Sequence, residues 1–320
     1  MRLTILVKSP TFVLSGNKLV LGVDAVVSGG ALYVIDLGRV NAGVLGGAHV
    51  DYDYVMKNLV MRNPGAYSSR SYSIEEGCGT GEVLDHNPEG IPASEVKGML
   101  RTAYLYWLLK GDAERRRLFF EEVREAVGGA SPRRLNRLSV NAEAGVMRER
   151  VVRTFEEEER VFERDVFNKV LVRQLTKPST SDYGVYCIRD LEGRYQVMAI
   201  GLRPGVEVSY EIKVGIVRKD EALENALVKA LSEFSSDISA FEIGRNVKLP
   251  SCDNGFVVRI GYGAGRRWKT VITLLERFDR GLYEEVTRLM SSYLGKPWGD
   301  STIRLAKGQV VGVACIRVVP

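Results

Sequence analysis

Residues 205–217 alternate without a break. Val206, Val208, Tyr210, Ile212, Val214 and Ile216 fall on one face, and Glu207, Ser209, Glu211 and Lys213 on the other. Successive side chains leave a strand on opposite sides, so a period of two over this length demands a strand with one face against a core. Shorter runs of the same kind predict strands at 2–8, 19–27, 31–36, 183–189, 194–200, 256–260 and 310–319. Ser28-Gly29-Gly30 and Glu192-Gly193 supply hairpin turns between them. Helical spacing replaces the alternation at 91–109, 112–126, 219–236 and 280–294. Strand, strand, helix, strand, helix, strand after residue 183 is the order of an α+β layer. Residues 38–50 carry no assignable pattern. Residues 62–90, rich in Gly, Ser, Asn and Pro, read as a long surface loop, and 131–175 as a helix with a solvated charged face.

With 320 residues the chain can bury a large core. No apolar run reaches the 18 or so residues of a membrane span. Met1-Arg2-Leu3-Thr4-Ile5 enters a strand pattern directly, without a signal-peptide layout, so the expected location is the cytoplasm and no membrane is expected as a partner. Cys78, Cys187, Cys252 and Cys315 lie far apart with no C-x-x-C pair. They are expected to be reduced, small apolar residues, with no metal site, no disulfide framework and no cofactor. A formal charge of +5 permits a polyanionic partner without requiring one.

Two stretches carry the chemistry. In Gly255-Phe-Val-Val-Arg-Ile-Gly-Tyr-Gly-Ala-Gly-Arg-Arg-Trp-Lys-Thr270 a short strand breaks into Gly261, Gly263 and Gly265, then Arg266, Arg267, Trp268, Lys269 and Thr270. Alternate glycines permit positive φ and close backbone approach, and the cations and indole suit a phosphodiester chain. A Walker loop would need glycine where Trp268 stands, and a dinucleotide fingerprint would need G-x-G-x-x-G after a first strand. In Ile91-Pro-Ala-Ser-Glu-Val-Lys-Gly-Met-Leu-Arg-Thr-Ala-Tyr-Leu-Tyr-Trp-Leu-Leu109, Ser94 is the expected N-cap. Val96, Met99, Leu100, Ala103, Tyr104, Trp107 and Leu108 form the core stripe. Lys97, Gly98 and Arg101 then lie near the positive end of the helix, where an anion is favoured. For catalysis, the candidate bases are His49 and His86 and the candidate carboxylates Asp24 and Asp36.

Three segments resemble the RAMP superfamily of CRISPR effector proteins. Ile91-Pro-Ala-Ser-Glu-Val-Lys-Gly-Met-Leu-Arg101 is similar to its I-P-G-S-S-x-K-G-x-L-R segment, with Ala93 in place of glycine. Residues 256–270 are similar to L-x-R-x-G-x-G-x-G-…-K-T, and Lys296-Pro-Trp-Gly-Asp-Ser-Thr-Ile-Arg304 leads into a last strand. A V-S-D-like run is absent at Val172-Arg-Gln-Leu175. Within the superfamily the order most resembles the fifth-subunit family of type III-A (Csm) complexes. The resemblance implies an α+β, ferredoxin-like (RRM-like), Cas-seven-like fold with helical insertions and a glycine-rich loop. It implies one module over 1–320, divisible into parts 1–180 and 181–320. It implies a non-catalytic subunit that binds the 3′ part of the crRNA and supports its maturation. The implied partners are crRNA, target RNA, the backbone and small Csm subunits, and host trimming nucleases. Lys97, Gly98, Arg101, Gly261, Gly263, Gly265, Arg266, Arg267, Lys269 and Thr270 are the implied RNA contacts. Two alternatives within the superfamily are a metal-independent endoribonuclease acting on precursor crRNA, and another backbone or capping subunit.

Overall fold

The computed structural model describes residues 1–40, 52–128, 142–155, 158–215, 219–295, 297–298 and 303–319. Its strands, in chain order, begin with β1 (Arg2–Val7), β2 (Leu14–Val20), β3 (Ala25–Ser28), β4 (Ala31–Ile35), β5 (Ser68–Ser73) and β6 (Glu82–His86). A charged pair follows, β7 (Arg148–Phe155) and β8 (Glu158–Asp165), then β9 (Val170–Gln174), β10 (Tyr183–Asp190), β11 (Gln196–Leu202) and β12 (Glu207–Val214). The last are β13 (Phe256–Arg259), β14 (Arg304–Ala306), β15 (Gln309–Val310) and β16 (Val313–Val319). The helices are α1 (Tyr52–Val55), α2 (Ala93–Gly111), α3 (Ala113–Gly128), α4 (Glu221–Ile243), α5 (Ile272–Phe278) and α6 (Arg280–Leu294).

The strict alternation does what its period demands. Val208, Tyr210, Ile212 and Val214 of β12 are buried, and Ile216 lies outside the described residues. β12 pairs antiparallel with β1, whose Leu3, Ile5 and Val7 are likewise buried. β1 is central in a five-stranded sheet ordered β13-β16-β1-β12-β9. One sheet therefore draws strands from both ends and the middle of the chain. α2 and α4 supply the other side of the main core, with Val96, Leu100, Ala103, Leu227, Leu231 and Phe234 buried in the same cluster as the sheet residues. Burial of each of the valine, leucine and phenylalanine side chains contributes about 1.5–3 kcal/mol. Tyr210 donates its hydroxyl hydrogen to the Ile91 carbonyl and so fixes the segment that enters α2. A second sheet, β15-β14-β10-β11-β6-β2, is antiparallel apart from the β11–β6 pair, and β3-β4-β5 forms a third. The chain is thus a mixed α+β protein.

Several local expectations are corrected. The 62–90 stretch holds two strands, because β5 and β6 are made by partners elsewhere: β4 for the Ser-rich β5, and β2 and β11 for β6. Charged residues 148–165 form the β7–β8 hairpin, not a helix. Arg148 stands opposite Asp165 and Glu149 opposite Arg164, a cross-strand charge match that no local pattern displays. Residues 129–141, with Arg133, Arg134 and Arg137, lie outside the described residues. The run at 19–27 is split by a turn at Gly22 (φ 83°), and the last strand by Gly312 (φ 79°). A Cβ on Gly312 would stand 2.4 Å from the Ile260 carbonyl oxygen, so only glycine lets these backbones meet. α4 runs on to Ile243, and α5 lies between the glycine segment and α6.

The cysteines are also corrected. Cys78 pairs with Cys187 and Cys252 with Cys315, with Cα atoms 5.5 and 5.6 Å apart. Sheet register creates both pairs. Glu75 donates its N–H to Val185 beside Cys187, while Cys315 of β16 stands opposite Val257 of β13, just after the Cys252 loop. Sequence spacing alone, at separations of 109 and 63, holds no trace of this. Thiol titration of the denatured, unreduced protein should find none of the four cysteines reactive, and four reactive thiols would mean that the pairs are merely adjacent. Reduction should lower the unfolding free energy by about 2–4 kcal/mol for each bridge.

Candidate nucleic-acid interface

The structure brings together the two stretches that the sequence singled out. α2 starts at Ala93, with Pro92 rather than Ser94 in the N-cap position. Proline offers no side-chain acceptor there; its carbonyl accepts from the Glu95 and Val96 N–H groups at 3.0 and 3.3 Å, and among the described residues no side chain caps the amides of Ala93 and Ser94. The glycine segment faces this end. Gly261, Gly263 and Gly265 all have positive φ (78°, 81° and 85°). A Cβ on Gly261 would stand 2.2 Å from the Phe12 carbonyl oxygen, so the loop lies flat on the 9–13 segment. Glu95 in the first turn of α2 joins the two elements, accepting from the Gly261 N–H at 3.4 Å and lying 3.9 Å from the Lys269 ammonium. Between them is a cleft of about 210 Å³ whose lining includes Ser94, Glu95, Gly98, Arg259, Trp268 and Lys269.

What holds the cleft open is a buried ion pair. Arg259, at the end of β13, is fully buried and bonds Glu242 of α4 at 2.7 Å. It donates further to the Gly263 and Val311 carbonyls at 2.6 and 3.3 Å, so one guanidinium ties the loop to helix and sheet. Burial pulls its pKa down and Glu242 opposes this; an arginine nonetheless keeps its charge. A charged residue inside the apolar run Phe256–Ile260 was a visible signal that a buried partner must exist. Nothing in the sequence selected Glu242. Glu242→Ala should destabilise the protein by about 3–5 kcal/mol in urea unfolding, because it strands a buried cation, whereas Glu242→Leu combined with Arg259→Met should cost far less.

The predicted contact residues separate into two groups. Arg267 is corrected to a core residue: it is 1% exposed, bonded to Glu276 at 2.6 Å and Thr273 at 3.1 Å, and stacked over Phe241 at 3.6 Å. Arg101 is held by Glu143 at 3.1 Å and Asp165 at 2.8 Å. Burial opposes the charge of Asp165, but hydrogen bonds from Arg101 and the Phe167 N–H outweigh it and hold the carboxyl below its usual range. Arg101 thus fastens α2 to the base of the β7–β8 hairpin. Lys97 is half-buried with no ion pair among the described residues; Gly98, Lys269 and Thr270 are exposed. Trp268, expected as a stacking surface, is buried edge-on against Phe234, and its Nε1 has no acceptor among the described residues. A second indole, the half-buried Trp298, carries the Arg266 guanidinium 4.3 Å from its ring centre. That pairing joins residues 32 apart in sequence and was missed.

The candidate catalytic residues lie elsewhere. His86 is buried, stacked on Tyr183 with ring centres 3.9 Å apart. Its Nδ1 donates to the Asn87 carbonyl at 2.8 Å, which leaves Nε2 to accept from the Tyr72 hydroxyl at 2.7 Å. Burial lowers its pKa. Asp24 accepts from the Val20 N–H, and Asp36 from the Gly38 N–H, each closing a turn. His49 lies outside the described residues. Because the folded pKa of His86 is depressed below its unfolded value of about 6.5, the unfolded chain takes up the proton first. Its contribution is complete above pH ~6.5 and is lost as the pH falls below that point. Denaturant midpoints measured from pH 7.5 down to 5 should fall, and should fall less steeply in His86→Gln.

No protein-family model matches the sequence, and no curated protein matches it. Solved structures do. Csm5 of T. onnurineus, known from a crystal structure, aligns with a TM-score of 0.66 at 19% identity, covering 98% of this chain and 99% of that one. The fold is that of Csm5. A chain in the cryo-EM structure of a Csm–crRNA–target RNA ternary complex, from a type III-A CRISPR-Cas system, aligns with a TM-score of 0.65 at 19% identity, over 98% of this chain and 99% of that one. The resemblance carried by Ile91–Arg101 and Phe256–Thr270 is met at the level of fold. Among the described residues no helix is long and apolar enough to cross a membrane.

Proposed function

We propose that this chain is a non-catalytic subunit of a type III-A CRISPR (Csm) ribonucleoprotein, holding the 3′ part of the crRNA and supporting its 3′-end maturation for antiviral RNA interference. The observation that carries this reading is the cleft between the α2 N-terminus and the glycine segment, on a Csm5 fold. Its partners on this reading are crRNA, target RNA, backbone and small Csm subunits and a separate trimming nuclease, in the cytoplasm. The fold would be a modified RRM-like ferredoxin module in which 261–265 is the family's glycine-rich loop.

The mechanism is positioning. A subunit that must accept any spacer sequence has to grip phosphates rather than read bases, and helix amides, loop amides and Lys side chains do this. Lys97, Gly98, Lys269 and Thr270 form the contact surface, with Gly261, Gly263 and Gly265 shaping the loop and Arg266 at its edge. Arg101 and Arg267 stand behind it, aligning α2 and α5. Glu95 stands where such an anion would sit, beside the Gly261 N–H and Lys269. A phosphate displaces it or shares its donors. The burial of His86 within an aromatic cluster favours binding over histidine-dependent cleavage.

Purification of the tagged protein from its host should yield short crRNAs and Csm partner proteins. Unprocessed precursor, cut in vitro in a His49-dependent manner, would overturn the reading. In Lys97→Ala and Lys269→Ala the slope of log affinity against log salt for single-stranded RNA should flatten by about 0.7 for each lost contact, and Glu95→Gln should bind more tightly than the parent. An unchanged slope in both lysine variants would remove them from the interface.

A further inference from the structure

A second cavity, of about 400 Å³, opens next to the cleft, and the two share Thr102 and Lys269. Its walls are apolar and come from four helices: Leu105 of α2, Val123 of α3, Leu275 of α5, and Leu289 of α6. Its lining also includes polar groups at Thr270 and Glu143 and the Trp298 indole. Trp298 is held to α6 by a bond from its backbone N–H to the Ser291 hydroxyl at 2.8 Å and carries Arg266 on its ring. The volume is that of a small-ligand pocket. The Trp268 indole, 3% exposed, forms part of the lining of the neighbouring cleft.

We propose that cleft and cavity form one nucleotide site: the cleft takes a phosphate and the cavity takes the unstacked base attached to it. This rests on the RNA-binding reading above and adds to it a pocket for a base. The ammonium of Lys269 stands on the shared boundary, where a phosphodiester would pass from one compartment to the other. Glu95 is the carboxylate that must yield. Inside the cavity the base gains burial against aliphatic walls and a face against Trp298. The polar edge of the base meets Thr270, Lys269 and Glu143. RNA bases are held in this manner when they are splayed from the strand and stacked on aromatic side chains.

The test compares a short single-stranded RNA with its abasic counterpart, both titrated into the full-length protein. The intact RNA should bind about fivefold or more tighter, the scale of base–aromatic stacking, while both keep the same salt slope. Leu289→Trp, which fills the cavity, should bring the intact RNA down to the abasic affinity and leave the abasic affinity alone. Equal binding of the two RNAs by the parent protein, with normal salt dependence, overturns the base pocket and leaves the phosphate reading standing. Loss of salt-dependent binding by both RNAs overturns the two together. If Leu289→Trp binds RNA normally but no longer copurifies with its protein partners, the cavity receives a protein side chain and the proposal is wrong.

Discussion

A cation buried without water must have partners on every side, and Arg259 shows how much of a fold that can organise. Its guanidinium meets a carboxylate from α4 and carbonyls from the glycine segment and from the 311 turn. Each partner alone would leave the charge short of compensation. Together they make the position of the loop a condition for burying the strand. The Phe12 contact under Gly261 and the Ile260 contact under Gly312 are then possible only because those residues lack a Cβ. The loop is thus fixed by sterics from below and by charge from within, while Lys269 and Thr270 remain exposed.

The cations of this protein illustrate that charge in the sequence and charge available to a partner differ. Arg266 and Arg267 are adjacent, yet one lies on the half-buried Trp298 and the other under Phe241 in the core. Arg101 and Lys97 are one helical turn apart, and only Arg101 is gripped by two carboxylates. A phosphate chain would meet a few well-aimed donors and an acidic placeholder, Glu95. Such an arrangement suits reversible, sequence-independent holding better than a large positive field would.

Legibility followed the range of the interaction concerned. Strands with strict alternation, at 2–7 and 207–214, could be read because one face meets a core whatever the partner is. Helix α2 could be read from its stripe in part: Val96, Leu100, Ala103 and Tyr104 are buried, but Met99, Trp107 and Leu108 are only partly so, and Leu105, Tyr106 and Leu109 are buried as well. The serine-rich β5, the parallel strand β6 and the charged β7–β8 hairpin could not, since their extended form comes from partners distant in the chain or from cross-strand charge register. For the same reason the two cysteine pairs were invisible. Resemblance to a known family bridged part of the gap by naming Ile91–Arg101 and Phe256–Thr270 as related segments, a link that no local pattern provides.

By itself the sequence determined the α+β alternation, the glycine-rich turn at 261–265, and the two basic segments that carry the proposed chemistry. These are local matters of side-chain period, backbone freedom and charge. Tertiary structure alone decided which cations face outward, which indole stacks with Arg266, that Glu95 joins the two segments, and that an apolar cavity adjoins the polar cleft. Those outcomes depend on contacts between residues from tens of positions to well over a hundred apart. The free energy of burying a charge or an indole is set by everything packed around it, and no single stretch of chain contains that information.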